Sequence, residues 1–340
     1  ELWDLGDRHG RRAKPGDLEP GIGAGRVSAN RAVFICLWSG LFAPLPAGGI
    51  LMQDRRFLMI GSMKSGTTSI FDDLTCHPQV YETSIKEPGD LASDAIFHAA
   101  AQQRYLSLFA KAGPGQWCGE ATTLYAQYPH VTEVPQRAHA LFGPTLKLIF
   151  VGRDPVERIR SHYRHEVQKK TYTQPLAEML GRDPKLFDLS RYDLQIAQWL
   201  KVFERENLLV LQMEDYISDP DSFMNRIFAF LELGPSIHPA GHHANRSAGK
   251  REAQGLLRKL IRSRFYGQRI KPMLPHAVRV HLRQLLVPRG RRAFDDMLSL
   301  QEAQELGRIL RDETQTFRQM AQDDRLTYQR RCEGWGRAAS

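Results

Sequence analysis

From residue 55 onward, short apolar runs alternate with segments in which apolar side chains recur every three or four positions. The short runs predict four strands: 57–61, 116–121, 146–152 and 208–215. The recurrent segments predict helices over 192–203, from Asp219-Pro220 onward and over about 300–321. Strands that alternate with helices are typical of a parallel sheet. We therefore predict a single α/β domain with a central parallel sheet flanked by helices on both faces.

The N-terminal part of the chain does not share this pattern. Residues 1–31 are rich in glycine, arginine and proline and show no hydrophobic period, which is typical of disordered chain. Residues 33–51 form a mildly apolar run, but its prolines and glycines make a poor membrane-spanning helix. We expect 1–51 to be an N-terminal extension, disordered or outside the natural protein, and 52–340 to form the folded domain.

Cysteine and histidine content narrows the class of protein. The four cysteines stand singly along the chain: Cys36, Cys76, Cys118 and Cys332. This spacing favours a reducing compartment, so we expect a cytoplasmic protein, with a membrane anchor at 33–51 as the alternative. The 12 histidines have no cysteine or carboxylate companion at metal-ligand spacing, so no metal site is predicted.

The net charge of +9 is concentrated in one segment. Residues 246–292 contain fourteen lysines and arginines and a single acid, Glu252. A basic amphipathic segment can contact an anionic membrane surface, bind an anionic acceptor, or form a solvated face of the domain. It has no nucleic-acid-binding motif and no interleaved aromatic residues, so we do not expect nucleic acid as a partner.

A glycine-rich loop follows the first predicted strand. In G-S-M-K-S-G-T-T, Gly61 and Gly66 have the spacing of a P-loop, and Thr68 takes its hydroxyl position. The lysine that normally follows the second glycine is missing, because Lys64 lies three places closer to the strand. A triphosphate would therefore lose its main side-chain clamp, whereas Lys64 could reach a bridging oxygen. The loop predicts a P-loop-like phosphate site.

A second motif follows the strand at 146–152. Asp154 is a candidate N-cap with Pro155 at the first helical position. Arg153 then lies at the carboxyl end of a strand, where open α/β sheets bind ligands, and Ser161 lies two turns along the helix. A guanidinium and a hydroxyl in this arrangement suit a second, separate phosphate group.

Together these motifs resemble the sulfotransferases that use 3′-phosphoadenosine 5′-phosphosulfate (PAPS), most closely the heparan-sulfate and carbohydrate type and its bacterial relatives. The 5′-phosphosulfate loop of that family is similar to 64–70, and its 3′-phosphate motif is similar to 153–163. The resemblance continues through three further segments: 77–88, 119–125 and 192–233. It implies PAPS as the donor co-substrate and no metal.

The resemblance also implies roles for individual residues. Lys64 would stabilise the bridging oxygen, and Glu87 would be the general base, with Glu120 as a second candidate. The remaining donor-binding residues it implies are Ser65, Gly66, Thr67 and Thr68 for the 5′-phosphate, Arg153 and Ser161 for the 3′-phosphate, and Arg246, Ser247, Gly249 and Lys250 in a late loop.

The expected activity is transfer of a sulfuryl group from PAPS to a hydroxyl or amine. The acceptor would be a small molecule or a glycan, in particular a carbohydrate or glycolipid. A nucleotide kinase or NTPase with a degenerate P-loop is the alternative. It would require a lysine where Thr67 stands and a magnesium-binding aspartate at the end of a later strand.

Overall fold

The computed structural model describes residues 55–83, 85–234 and 298–338, with side chains as far as Cys332. All of these residues belong to one compact unit. The predictions for 1–51 and for 246–292 lie outside the described residues. Among the described helices, none is both long enough and apolar enough to cross a membrane.

Within the described residues, five parallel strands form a single sheet in the order β2-β3-β1-β4-β5. The strands are β1 Arg56–Gly61, β2 Val80–Tyr81, β3 Trp117–Ala121, β4 Lys147–Gly152 and β5 Leu208–Gln212. The prediction of a parallel sheet is confirmed. The strand predicted over 208–215 was too long, because residues 213–218 turn into a helix.

Eleven α-helices lie in the part of the chain that the structure describes. They are α1 Thr67–Leu74, α2 Ala99–Ser107, α3 Val134–Phe142, α4 Pro155–Lys169, α5 Leu176–Arg182, α6 Lys185–Asp188, α7 Tyr192–Leu200, α8 Met213–Ser218, α9 Pro220–Phe230, α10 Leu300–Asp312 and α11 Gln315–Ala338. The described chain also contains four 3₁₀ helices: Asp90–Ala92, Asp94–Phe97, Thr123–Ala126 and Arg205–Asn207.

The sheet is buried on both faces, which agrees with the mainly apolar composition of its strands. Along β1, Leu58 and Ile60 pack with residues of α2, α3 and α7. Phe57 and Met59 point the other way and pack with residues of α1, α8 and α9. Because successive side chains of a strand alternate between faces, this division confirms that helices flank the sheet on both sides.

The last helix, α11, covers the edge of the sheet at β5. The sequence predicted one helix over about 300–321, and this is wrong, because the chain breaks at Thr314 into α10 and α11. The Thr314 hydroxyl donates to the Leu310 carbonyl at 2.7 Å. In α11, Asp324 accepts a hydrogen bond from the Val210 N–H at 2.8 Å. This bond occupies a backbone donor of an edge strand that would otherwise be open to another chain.

Candidate active site

The glycine-rich loop joins the end of β1 to the start of α1. Lys64 and Gly66 both have positive φ angles, of 73° and 74°. The Ser62 N–H donates to the Val151 carbonyl at 2.7 Å, which ties the loop to β4. Across the loop, the hydroxyls of Ser62 and Ser65 are hydrogen-bonded at 2.6 Å. The loop is therefore an ordered arch, with Lys64 near its middle.

The start of α1 has the properties of an anion site. Its N-cap is Gly66, no side chain caps it, and no acidic residue lies in its first turn. The free N–H groups of such a helix end attract an anion, and the helix dipole adds to the attraction. A Cβ at Gly66 would meet the flexible end of the Met213 side chain, and the φ of 74° there is one that other residues rarely adopt, so the position favours glycine.

The start of α4 differs, because its own side chains satisfy it. Asp154 accepts a hydrogen bond from the Glu157 N–H at 2.9 Å, as its predicted N-cap role requires, and Pro155 occupies the first turn. Arg153 precedes this cap at the carboxyl end of β4. Its guanidinium lies 3.7 Å from the Glu157 carboxylate, and its side chain is 27% exposed. Arg153 therefore remains accessible to a ligand at the end of the sheet.

The two phosphate motifs meet at Tyr192. This fully buried hydroxyl accepts a hydrogen bond from the Arg153 N–H at 3.3 Å. Burial raises the pKa of Tyr192, and the side chains of Ser62 and Ser65 lie close enough to its hydroxyl to oppose that shift. The sequence does not distinguish this tyrosine from one that only packs in the core, so the prediction missed this contact.

The side chains expected to hold the donor lie at different depths. Ser65, Thr67 and Ser161 are buried, whereas Lys64 and Thr68 are half-buried. The pKa of His162 is lowered to about 3, first by burial and then by positive charges that include Lys64. Lys64 thus lies within electrostatic range of the helix that carries Ser161.

An open cleft adjoins the start of α1, with about 580 Å³ of empty space including the part open to solvent. It is lined by Thr67, Thr68, Phe71, Asp72, Glu82, Thr83, Ile85, Lys86, Glu87 and Ala121. Glu87 is exposed and has a positive φ of 49°. The cleft therefore brings Glu87, 20 positions away in sequence, beside the threonines of the loop.

The second candidate base, Glu120, is enclosed in the protein. One of its oxygens accepts hydrogen bonds from Tyr105 at 2.6 Å and from Tyr125 at 2.7 Å. The other accepts from Thr122. Burial raises the pKa of Glu120, although these three hydrogen bonds oppose the shift. With both oxygens occupied and only 1% of its surface exposed, Glu120 orders the end of β3.

Four of the expected donor residues, Arg246, Ser247, Gly249 and Lys250, lie outside the described residues. Within the described ranges, no three His, Cys, Asp or Glu side chains gather as a metal site.

The chain belongs to the sulfotransferase family, because residues 54–249 match the family described as the sulfotransferase domain. This confirms the resemblance drawn from the two phosphate motifs. The parallel α/β sheet observed here is the fold that the resemblance implied.

Several curated proteins are similar to this chain. Carbohydrate sulfotransferase 15 of Homo sapiens is 26% identical over 249 residues, which is 53% of this chain and 44% of that protein. Heparan sulfate glucosamine 3-O-sulfotransferase 6 of Homo sapiens is 27% identical over 263 residues, which is 74% of each. The chain thus spans less than half the length of the first of these relatives.

Among solved structures, a sulfotransferase from Alicyclobacillus acidocaldarius resembles the chain with a TM-score of 0.47 and 23% identity. The likeness covers 60% of this chain and 88% of that one.

Proposed function

We propose that this protein transfers a sulfuryl group from PAPS to a hydroxyl or amine of an acceptor on a carbohydrate or glycolipid. The observation that carries the proposal is the pair of separate cationic positions at the carboxyl edge of the sheet. Lys64 lies on the loop after β1, and Arg153 follows the neighbouring strand β4. A donor with one phosphate group at each end suits this arrangement.

The residues present fit such a donor. The uncapped start of α1 offers backbone N–H groups, and Ser65, Thr67 and Thr68 offer hydroxyls for the 5′-phosphate. Arg153 and Ser161 would hold the 3′-phosphate, with Arg153 supplying a charge-assisted hydrogen bond. PAPS supplies the sulfuryl group that is transferred.

In this mechanism Lys64 donates a hydrogen bond to the oxygen that bridges phosphorus and sulfur. Negative charge grows on that oxygen as the sulfuryl group leaves it. A cation already positioned there stabilises the transition state more than the ground state, and so raises the rate rather than the affinity. The left-handed backbone at Lys64 is the local feature that sets it on the arch of the loop.

Glu87 accepts the proton of the acceptor hydroxyl. It lies on the cleft segment that follows β2, and it shares the cleft with Thr67 and Thr68. A general base must come within hydrogen-bond reach of the proton it removes, so the acceptor would enter through this cleft.

The nucleotide-kinase alternative receives no support from the family match. The expected location in the cytoplasm and the membrane contact through 246–292 stay predictions.

Calorimetry with 3′-phosphoadenosine 5′-phosphate tests the donor assignment. We expect binding in the presence of EDTA, because Lys64, Arg153 and the start of α1 supply the charge that a phosphate requires. ATP with Mg²⁺ is the comparison ligand. Tighter binding of ATP with Mg²⁺ would contradict the proposal and favour the nucleotide-kinase alternative.

A further inference from the structure

The described lining of the cleft that holds Glu87 contains more acidic than basic side chains. Among the described residues that line it, three are carboxylates, Asp72, Glu82 and Glu87, and one is an ammonium, Lys86. All four side chains are exposed, so they face solvent and any entering molecule. A groove lined mainly by one sign of charge repels ligands of the same sign.

The negative charge extends along the rim between α1 and β2. The pKa of the Cys76 thiol is raised first by burial and then by Asp73, Glu82 and Asp72. Asp72 on α1 and Glu82 after β2 therefore both lie close enough to Cys76 to raise the pKa of its thiol. The negative potentials of these two carboxylates add, so both would repel a polyanion that enters the cleft.

Apolar surface lies beside these charges. Phe71, Ile85 and Ala121 belong to the cleft lining, and Ile85 is 45% exposed. Leu124 is 36% exposed, and its side chain would lie 3.7 Å from a Cβ placed on Gly89, two residues after Glu87. Exposed apolar side chains grouped at a cleft mark a binding surface for an apolar group.

From these two features we infer that the acceptor is an uncharged hydroxyl compound carrying an alkyl or aryl group, and that Asp72 and Glu82 exclude polyanionic acceptors. The inference rests on the proposed sulfuryl transfer. In that step the acceptor oxygen bonds to sulfur as the bond from sulfur to the bridging oxygen breaks. The electron pair stays on the departing phosphate, and the hydroxyl proton passes to Glu87.

Matched glycosides test this acceptor class. The probes are 4-nitrophenyl β-glucoside, 4-nitrophenyl β-glucuronide, in which a carboxylate replaces the 6-hydroxymethyl group, and methyl β-glucoside, which lacks the aryl group. With PAPS as donor, we expect kcat/KM for the aryl glucoside to exceed that for the glucuronide about tenfold, from the repulsion between like charges a few ångströms apart. The methyl glucoside should also be poorer than the aryl glucoside.

Substitution separates charge from shape. The double variant Asp72→Asn/Glu82→Gln keeps the size of both side chains, and we expect it to reduce the ratio between glucoside and glucuronide to about threefold or less. Asp312→Asn is the matched control, because Asp312 is exposed on α10 and does not line the cleft. High salt should reduce the wild-type ratio in the same direction, since exposed charges are screened.

The outcomes distinguish the inference from the proposed function. A glucuronide used as well as the glucoside, or a ratio unchanged in the double variant, would overturn the acceptor class. So would binding of 3′-phosphoadenosine 5′-phosphate without transfer to any of these glycosides, although the donor assignment would then stand. A wild-type protein that does not bind that nucleotide would overturn the proposed function and the inference with it.

Discussion

Lys64 and Arg153 follow neighbouring strands of one sheet, and the proposed function gives them different tasks. Lys64 contacts an oxygen whose charge grows only during transfer, whereas Arg153 contacts a phosphate whose charge is constant. Substituting each of them should therefore affect different kinetic constants, which makes the two assignments separable.

Lys64→Ala should remove most of kcat and change the affinity for donor less, because the lost contact strengthens in the transition state. Arg153→Ala should chiefly raise the donor KM, because it removes binding that is equal in ground and transition states. Steady-state kinetics with PAPS measures both. Lys169→Ala is the control, because its side chain is 53% exposed at the end of α4. If the two variants shared one kinetic pattern, the division of tasks would be wrong.

Glu87→Gln should lower kcat by about 10²–10⁴-fold, the usual effect of losing a positioned general base. The amide keeps the size of the carboxylate but cannot accept the proton. Binding of 3′-phosphoadenosine 5′-phosphate should persist, since the proposed donor contacts lie elsewhere. A rate within a few-fold of wild type would remove Glu87 from this role.

The sequence predicted those residues whose type is unusual for their position. A lysine inside a glycine-rich loop and an arginine directly after a buried strand are both uncommon at positions that serve only the fold. Tyr192 does not, because its hydroxyl becomes informative only when the fold brings it to Ser62 and Arg153. Glu120 was recognised as a carboxylate near the site. Its enclosure by Tyr105 and Tyr125 depends on contacts that a linear pattern does not contain.

At the scale of elements, strand prediction worked for β1, β4 and β5, each of which contains four consecutive apolar residues, and for the five-residue strand β3. β2 has only two residues, Val80 and Tyr81, and is too short to produce a recognisable run. The break between α10 and α11 was missed for a different reason. Thr314 and its neighbours can continue a helical pattern, and the turn there is fixed by tertiary contacts. Asp193 on α7 accepts hydrogen bonds from the N–H groups of Thr316 and Phe317, at 2.9 and 2.7 Å.

The contact between α11 and β5 yields a prediction about stability. Asp324→Ala should lower the free energy of unfolding by about 1–3 kcal/mol, because the buried Val210 N–H loses its acceptor. The change also removes the Asp324 partner of Arg205, which lies 2.7 Å away. Urea unfolding of the variant measures the difference. Asp323→Ala is the matched control, because its carboxylate contacts the exposed Gln319 side chain within α11. Equal midpoints for the two variants would show that α11 does not secure the edge strand.

Over the whole molecule, the parallel sheet explains why distant motifs can form one site. β1, β3 and β4 are adjacent and point the same way, so the loops that follow them emerge at one edge. Lys64, Ala121 and Arg153 occupy those three loops or strand ends, and the Glu87 segment follows β2 next to β3. The motifs are far apart in the sequence, and the strand order of the sheet brings them close together.

The same packing makes the stability of the molecule sensitive to acid through His162. The His162 side chain is buried on α4. Its pKa is lowered to about 3, first by burial and then by Arg158 and other cations. An unfolded histidine has a pKa of about 6.5, so below that pH the unfolded chain binds a proton that the folded protein does not. Folding stability should therefore be lost as the pH falls from about 6.5 toward 3, by about 2 kcal/mol at pH 5 from this group.

Urea unfolding of wild type and His162→Gln, measured from pH 7 to pH 5, tests that origin. Glu120 and Asp324 have pKa values raised chiefly by burial, so each binds its proton more readily when folded and adds stability as the pH falls toward the pKa of the unfolded chain. Both proteins share that opposing contribution, so the difference between their curves isolates His162. We expect the gap between wild type and variant to change steadily in favour of the variant as the pH falls, whatever the fixed effect of the substitution at pH 7. Gln103→Ala, at an exposed position with no titratable group, should give a curve parallel to wild type. A parallel curve for His162→Gln as well would assign the acid sensitivity to other groups.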